Sequence, residues 1–159
     1  MKSSGWWGVG LLILVGAVSG CGDDDHDHDH HRHRHACVQV REVEPNDLAS
    51  TVQFLDPGPA GDCVIVDGQL ASATDVDTYR ILIEEPLTLA ITLDQNPGVD
   101  FAVQLVQADT GALIEDCQSA AVSEGCKVSF DVHGPALPVN VVVTSVDGAG
   151  QYTLTLDVE

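Results

Sequence analysis

From Val38 to the end of the chain, apolar and polar residues alternate with period two, stretch after stretch, and no window carries a helical stripe. "TYRILIE" sets Tyr79, Ile81 and Ile83 on one face, and "LTLAITLD" does the same with Leu87, Leu89, Ile91 and Leu93. "FAVQLVQ" aligns Phe101, Val103 and Leu105, and "KVSFDVH" aligns Val128, Phe130 and Val132. "PVNVVVTS" and "QYTLTLDV" close the series with Val139, Val141 and Val143, then Tyr152, Leu154 and Leu156. Successive side chains leave opposite faces of a pleated strand, so this alternation predicts strands buried on one side only. Between them lie "DPGPAGD", "DQNPGVD", "ADTGA" and "DGAG", built from residues that turn a chain. The expectation is a single all-β domain over residues 38–159, an antiparallel sandwich.

The start of the chain is of another kind. "MKSSGWWGVGLLILVGAVSGC" carries a positive Lys2, then an apolar run from Trp6 to Val18 that is short for a bilayer span. Small residues, "VSG", lead directly into Cys21, which resembles the lipobox of bacterial lipoproteins. That resemblance implies a signal peptide over residues 1–20, acylation (palmitate among the chains) at Cys21, and a membrane partner reached through the lipid anchor. Each buried methylene contributes about 0.8 kcal/mol, so two or three acyl chains hold firmly. Gly22 and the acids after it give no inner-membrane retention signal, which points to the outer membrane. An ordinary secretory signal followed by a disulfide cysteine is the competing reading.

Export also shapes the cysteine reading. Setting Cys21 aside leaves Cys37, Cys63, Cys117 and Cys126, an even number suited to two disulfides. Three connectivities are possible. Cys117 and Cys126 bracket the short polar stretch "QSAAVSEG", which favours pairing them and hence Cys37 with Cys63. A metal–thiolate site would want a CxxC pair, and none of the four has one.

The formal net charge of −19 at pH 7 excludes nucleic acid and anionic headgroups as partners and favours cations. Both tryptophans, Trp6 and Trp7, lie in the leader. Beyond it the aromatics are Phe54, Tyr79, Phe101, Phe130 and Tyr152, too few for a stacking platform of the kind sugars or bases prefer.

Between leader and sandwich, residues 21–37 have almost nothing apolar to bury, so ordering them would cost backbone entropy without return. They are expected to form a disordered tether. Within it His26, His28, His30, His31, His33 and His35 are interspersed with Asp and Arg. Neutral imidazole suits zinc, copper or nickel, and a flexible arm can wrap such an ion, though labile for want of groups fixing the rings. The five Asp and two Arg of this arm give it about −3 with neutral imidazoles and about +3 once all six are protonated, below a pH of about 6.5. A solvated spacer is the plain alternative.

At "EVEPNDLASTVQFL" the chain resembles the opening of bacterial pre-peptidase C-terminal domains, an E-P-N-D/N turn before alanine- and threonine-containing sequence. "VDGQLASATDVDTYRI" is similar to that family's glycine-led strand and D-x-D-x-[YF] motif. "VDFAVQLVQADTGALI" and "GAGQYTLTLDV" resemble its later strand-and-turn and closing G-x-Y-x-L strand. The resemblance implies a jelly-roll-like sandwich, of about eight strands. It also implies calcium near the E-P-N segment, with oxygens from Glu42, Glu44, Asn46, Asp47, Asp75 and Asp77. Calcium takes six to eight oxygen ligands, and clustered carboxylates repel unless a cation joins them. Without the resemblance, "EPND" reads as a proline-started turn and "DVD" as a solvated strand start. One acidic position of the family's middle strand is absent, since Asp100 is followed by Phe101, Ala102 and Val103. Within these 159 residues no peptidase sequence accompanies the domain either.

Catalysis finds little support. The only histidine beyond the tether is His133, in "DVHGPALP", and Ser129 and Ser145 sit in alternating strands without a G-x-S-x-G elbow. The chain is therefore expected not to be an enzyme. Two functions remain: a noncatalytic envelope lipoprotein whose sandwich binds a protein or polymer with calcium and disulfides stiffening it, or a lipoprotein that captures or senses transition metals through its His/Asp arm.

Overall fold

The computed structural model describes residues 37–48, 50–117 and 123–159. The expectations for the leader, for Cys21 and for the tether histidines lie outside the described residues. Among the described residues there is no helix, and none long and apolar enough to cross a membrane.

Among the described residues, ten strands form two five-stranded sheets. The first contains β1 (Cys37–Arg41), β3 (Cys63–Leu70), β10 (Gly150–Val158), β5 (Leu87–Gln95) and β8 (Ser123–Phe130), side by side in that order. The second contains β2 (Gln53–Phe54), β4 (Val76–Ile83), β9 (Leu137–Asp147), β6 (Asp100–Gln107) and β7 (Leu113–Asp116). Apart from the β6–β7 hairpin, successive strands change sheet. The chain thus winds around its own core, as a jelly roll does.

The inward residues are those the alternation selects. Tyr79, Ile81 and Ile83, Leu89, Ile91 and Leu93, Phe101, Val103 and Leu105, Val139, Val141 and Val143, and Tyr152, Leu154 and Leu156 are all buried in one core. Two sheets each hydrophobic on one face bury that face against each other. Turns close where glycine supplies the left-handed backbone, as at Gly98 (φ 93°) and Gly148 (φ 88°).

The sandwich differs from the expectation in strand number and in direction. β2 and β7, of two and four residues, are too short to display an alternation. β1 runs parallel to β3, and β2 parallel to β4, while all other pairings are antiparallel. The reason is topological. The chain reverses between consecutive strands, so neighbours an odd number of steps apart oppose each other. β1 and β3, like β2 and β4, are two steps apart and must run the same way.

Two disulfides pin the outer strands. Cys37 and Cys63 face each other in the β1–β3 register with Cα atoms 4.4 Å apart. Cys117, just beyond β7, joins Cys126 of β8 at a Cα separation of 5.2 Å, and so links the edge of one sheet to the edge of the other. Cross-linking the unfolded chain over separations of 26 and 9 residues is worth roughly 3.5 and 2.6 kcal/mol by chain entropy.

Candidate metal centre

Beyond β1, Glu42 still follows the β3 register, its N–H donating to the Asp67 carbonyl at 3.0 Å. The chain then turns through a cis Glu44–Pro45 bond. Asn46 is wholly buried although it belongs to a loop. Its N–H donates to Glu44 Oε2 (3.0 Å), its Nδ2 donates to Glu42 Oε1 (3.1 Å), and its carbonyl accepts the Thr78 N–H (3.2 Å). Those bonds fold the E-P-N-D turn down onto the start of β4, where Asp77 also has no exposure to solvent.

Two groups of carboxylates result. Oxygens of Glu42, Glu44 and Asp77 all lie within 4.8 Å of one another, and so do oxygens of Glu44, Asp47 and Asp75. Glu44 belongs to both, and Asn46 bonds to Glu42 and Glu44, so the fold brings all six residues of the expected set together. Asp75 is reached differently from the others. It precedes β4 in a turn, and its carboxylate accepts the N–H groups of Ala71 (2.5 Å) and Val76 (3.1 Å). Asp75 and Asp77 therefore serve different groups.

The electrostatics of this cluster are unfavourable without a counter-charge. Burial, with the neighbouring Glu42 and Asp75 carboxylates adding to it, pushes the Asp77 carboxyl up to about 8, against a hydrogen bond from Tyr152 that lowers it. Glu44 is raised too, first by desolvation and then by Glu42, Asp75 and Asp47, with the Asn46 N–H opposing. Two buried acceptors, Asn46 Oδ1 and Asp77 Oδ1, have no hydrogen-bond partner. Buried polar atoms are nearly always satisfied, because leaving one bare costs about 1–3 kcal/mol. The donor set is all oxygen, without sulfur or imidazole, which suits a hard divalent cation.

A second tier of residues was not singled out by the sequence as part of the site. Tyr152 on β10 donates to Asp77 Oδ2 (2.5 Å), Tyr79 on β4 donates to Glu42 Oε1 (3.2 Å), and the two hydroxyls lie 2.6 Å apart. The Gln69 N–H donates to the other Glu42 oxygen at 2.8 Å. Gly68 makes this possible, since a Cβ there would lie 2.3 Å from the Tyr152 ring. A glycine inside the strand pattern "VIVDGQL" is the sequence signal for such a close approach.

The residues weighed for catalysis do not converge. His133 is 75% exposed in its side chain and pairs with Asp131 at 2.9 Å. The Ser145 hydroxyl donates to the Gly148 carbonyl at 2.7 Å, while Ser129 on β8 shares a hydrogen bond at 3.0 Å with Thr88, its partner on the neighbouring β5.

Fold and site together define an all-β sandwich carrying an acidic, partly buried oxygen cradle at the start of its first long crossing. Among solved structures the chain is similar to PliG of Aeromonas hydrophila, a periplasmic inhibitor of g-type lysozyme, at a TM-score of 0.50 and 8% identity over 78% of this chain and 98% of that one. It also aligns with the pre-peptidase C-terminal domain of the Bacillus anthracis collagenase, at a TM-score of 0.49 and 12% identity over 79% of this chain and 96% of that one. At 8% identity the likeness to the inhibitor is one of fold alone. No family model matches the chain, and no curated protein matches it.

Proposed function

We propose that this chain is a noncatalytic envelope lipoprotein whose β-sandwich binds a protein or polymer and is stiffened by calcium. Glu42, Glu44, Asn46, Asp47, Asp75 and Asp77 would hold the ion. The observation that carries this reading is the pair of orphaned acceptors, Asn46 Oδ1 and Asp77 Oδ1, buried beside mutually repelling carboxylates. A bound divalent cation supplies the positive charge that the cluster lacks, and it would tie the E-P-N-D turn to β4. The resemblance of "EVEPNDLASTVQFL" and "DVDTY" to the pre-peptidase C-terminal pattern supports the same six residues. The binding role takes support from the Aeromonas hydrophila inhibitor, a sandwich of similar fold whose name gives it a protein target. The lipid anchor at Cys21 rests on the "VSGC" sequence.

Thermal unfolding with calcium and with chelator tests the calcium part. A ligand that binds only the folded state at about a hundredfold its Kd stabilises by about 2.7 kcal/mol, which raises the melting temperature of a domain this size by about 10 °C. An unchanged melt across millimolar calcium would overturn it.

A further inference from the structure

Away from the cradle, the outer face of the second sheet ends in a groove of about 740 Å³ beside its short edge strand. Phe54, on β2, is 65% exposed, and Leu82, on β4, is 48% exposed. The two strands pair in parallel with Phe54 opposite Arg80, and Leu82 is the next outward residue along β4. The apolar side chains are therefore neighbours on one face rather than scattered singly. Arg80 is already engaged, its guanidinium 5.7 Å from the Phe54 ring centre and its Nε donating to Asn140 Oδ1 at 2.9 Å.

The rim of this groove is acidic. Asp56, Glu84 and Glu85 line it, and among the described residues neither Glu84 nor Glu85 forms an ion pair. β2 is only two residues long, and Pro57 and Pro59 beyond it cannot donate backbone hydrogen bonds, so this edge offers little backbone to a further strand of an identical chain. An exposed aromatic anchor beside the Glu84 and Glu85 carboxylates, which form no ion pair among the described residues, complements a surface that presents a bulky apolar side chain among lysines and arginines. The chain's net charge of −19 favours the same partner and disfavours an anionic lipid surface.

We propose that the Phe54–Leu82 groove is a docking site for a cationic protein segment carrying an apolar side chain. This deepens the binding-module reading and uses no residue of the oxygen cradle, so the two fail separately. A chelator-insensitive melt would sink the calcium site alone, and the titration below bears on the groove alone.

The probe is a short peptide alternating lysine with phenylalanine, titrated into the full chain by calorimetry, against the same peptide with glutamate for lysine. Saturable binding of the lysine peptide only is expected, weakened about tenfold by Phe54→Ala and by the double change Glu84→Gln, Glu85→Gln. Leu113→Ala, an exposed apolar position at the opposite edge, should leave it unchanged. Binding should also weaken about tenfold between about 20 mM and about 500 mM salt. Equal binding of both peptides, no binding of either, or affinity indifferent to Phe54→Ala would overturn the proposal. So would self-association, or co-sedimentation with phosphatidylglycerol vesicles, that Phe54→Ala abolishes, since the groove would then belong to a second copy or to a lipid surface.

Discussion

The hydroxyls of Tyr79 and Tyr152 meet at 2.6 Å in the buried space between the two sheets, one ring rising from β4 and the other from β10. Each then reaches a carboxylate of the acidic cradle, Tyr152 to Asp77 and Tyr79 to Glu42. The ring of Tyr152 also stacks edge-on against Phe101, with ring centres 6.1 Å apart. The cradle is thus braced from beneath by the core. Burial and the neighbouring negative groups push both phenol pKa values up, so the pair stays protonated and able to donate.

Tyr152→Phe removes the donor to Asp77 and the partner of Tyr79 while keeping the ring in the core. Leaving a buried acceptor short of a bond costs about 1–3 kcal/mol, and equilibrium denaturation in urea should register that loss. A change within error would mean that the bond contributes nothing net.

Gly68→Ala places a methyl group against the Tyr152 ring, 2.3 Å from its nearest carbon. The ring cannot move without surrendering its bonds to Asp77 and Tyr79. Overpacking of this kind costs about 1–3 kcal/mol, and the melting temperature should fall accordingly. Ala at Gly98, where a Cβ would meet nothing within 4 Å, separates packing from backbone effects, since only the φ of 93° opposes it.

The calcium-free protein should lose stability as the medium becomes alkaline. Asp77 ionises near 3.9 when unfolded and at about 8 when folded, so between those values the folded state holds the extra proton. The stability that this group contributes is therefore fully present below about pH 4, is lost as the pH rises to about 8, and changes no further above. The raised Glu44 adds to the same slope. Asp77→Asn should flatten the slope, leave the calcium-free protein as stable or more so at pH 8, and abolish the response to calcium. Urea titrations over that pH range, with chelator throughout, would expose an opposite slope.

Deleting residues 23–35 removes the whole His/Asp arm. Zinc, copper or nickel binding by the full chain should disappear, measured by equilibrium dialysis, while the melt of the sandwich and its calcium response stay as they were. Undiminished transition-metal binding would place those ions elsewhere and end the capture hypothesis.

The sandwich was legible because alternation is a local property. Whether Ile81 or Leu82 faces inward follows from the pleat and its immediate neighbours, and so do the turns that Gly98 and Gly148 close. The parallel seating of β1 and β2 was not legible, because strand direction depends on how often the chain has crossed between sheets. The candidate site divides in the same way. Its acids could be named from the "EPND" and "DVD" patterns, yet nothing local says that Asn46 and Asp77 are buried or that each keeps an oxygen without a partner.

The order of residues alone therefore determined which side chains form the core, where the chain turns, and how much negative charge it must accommodate. Only the folded chain decided that Glu42 and Asp77 share one hydrogen-bonded network with Tyr79 and Tyr152, and that Phe54 is left facing water. Burial depth and pairing partners are set by contacts between distant segments, and a pattern that repeats every second residue holds no record of which segments will meet.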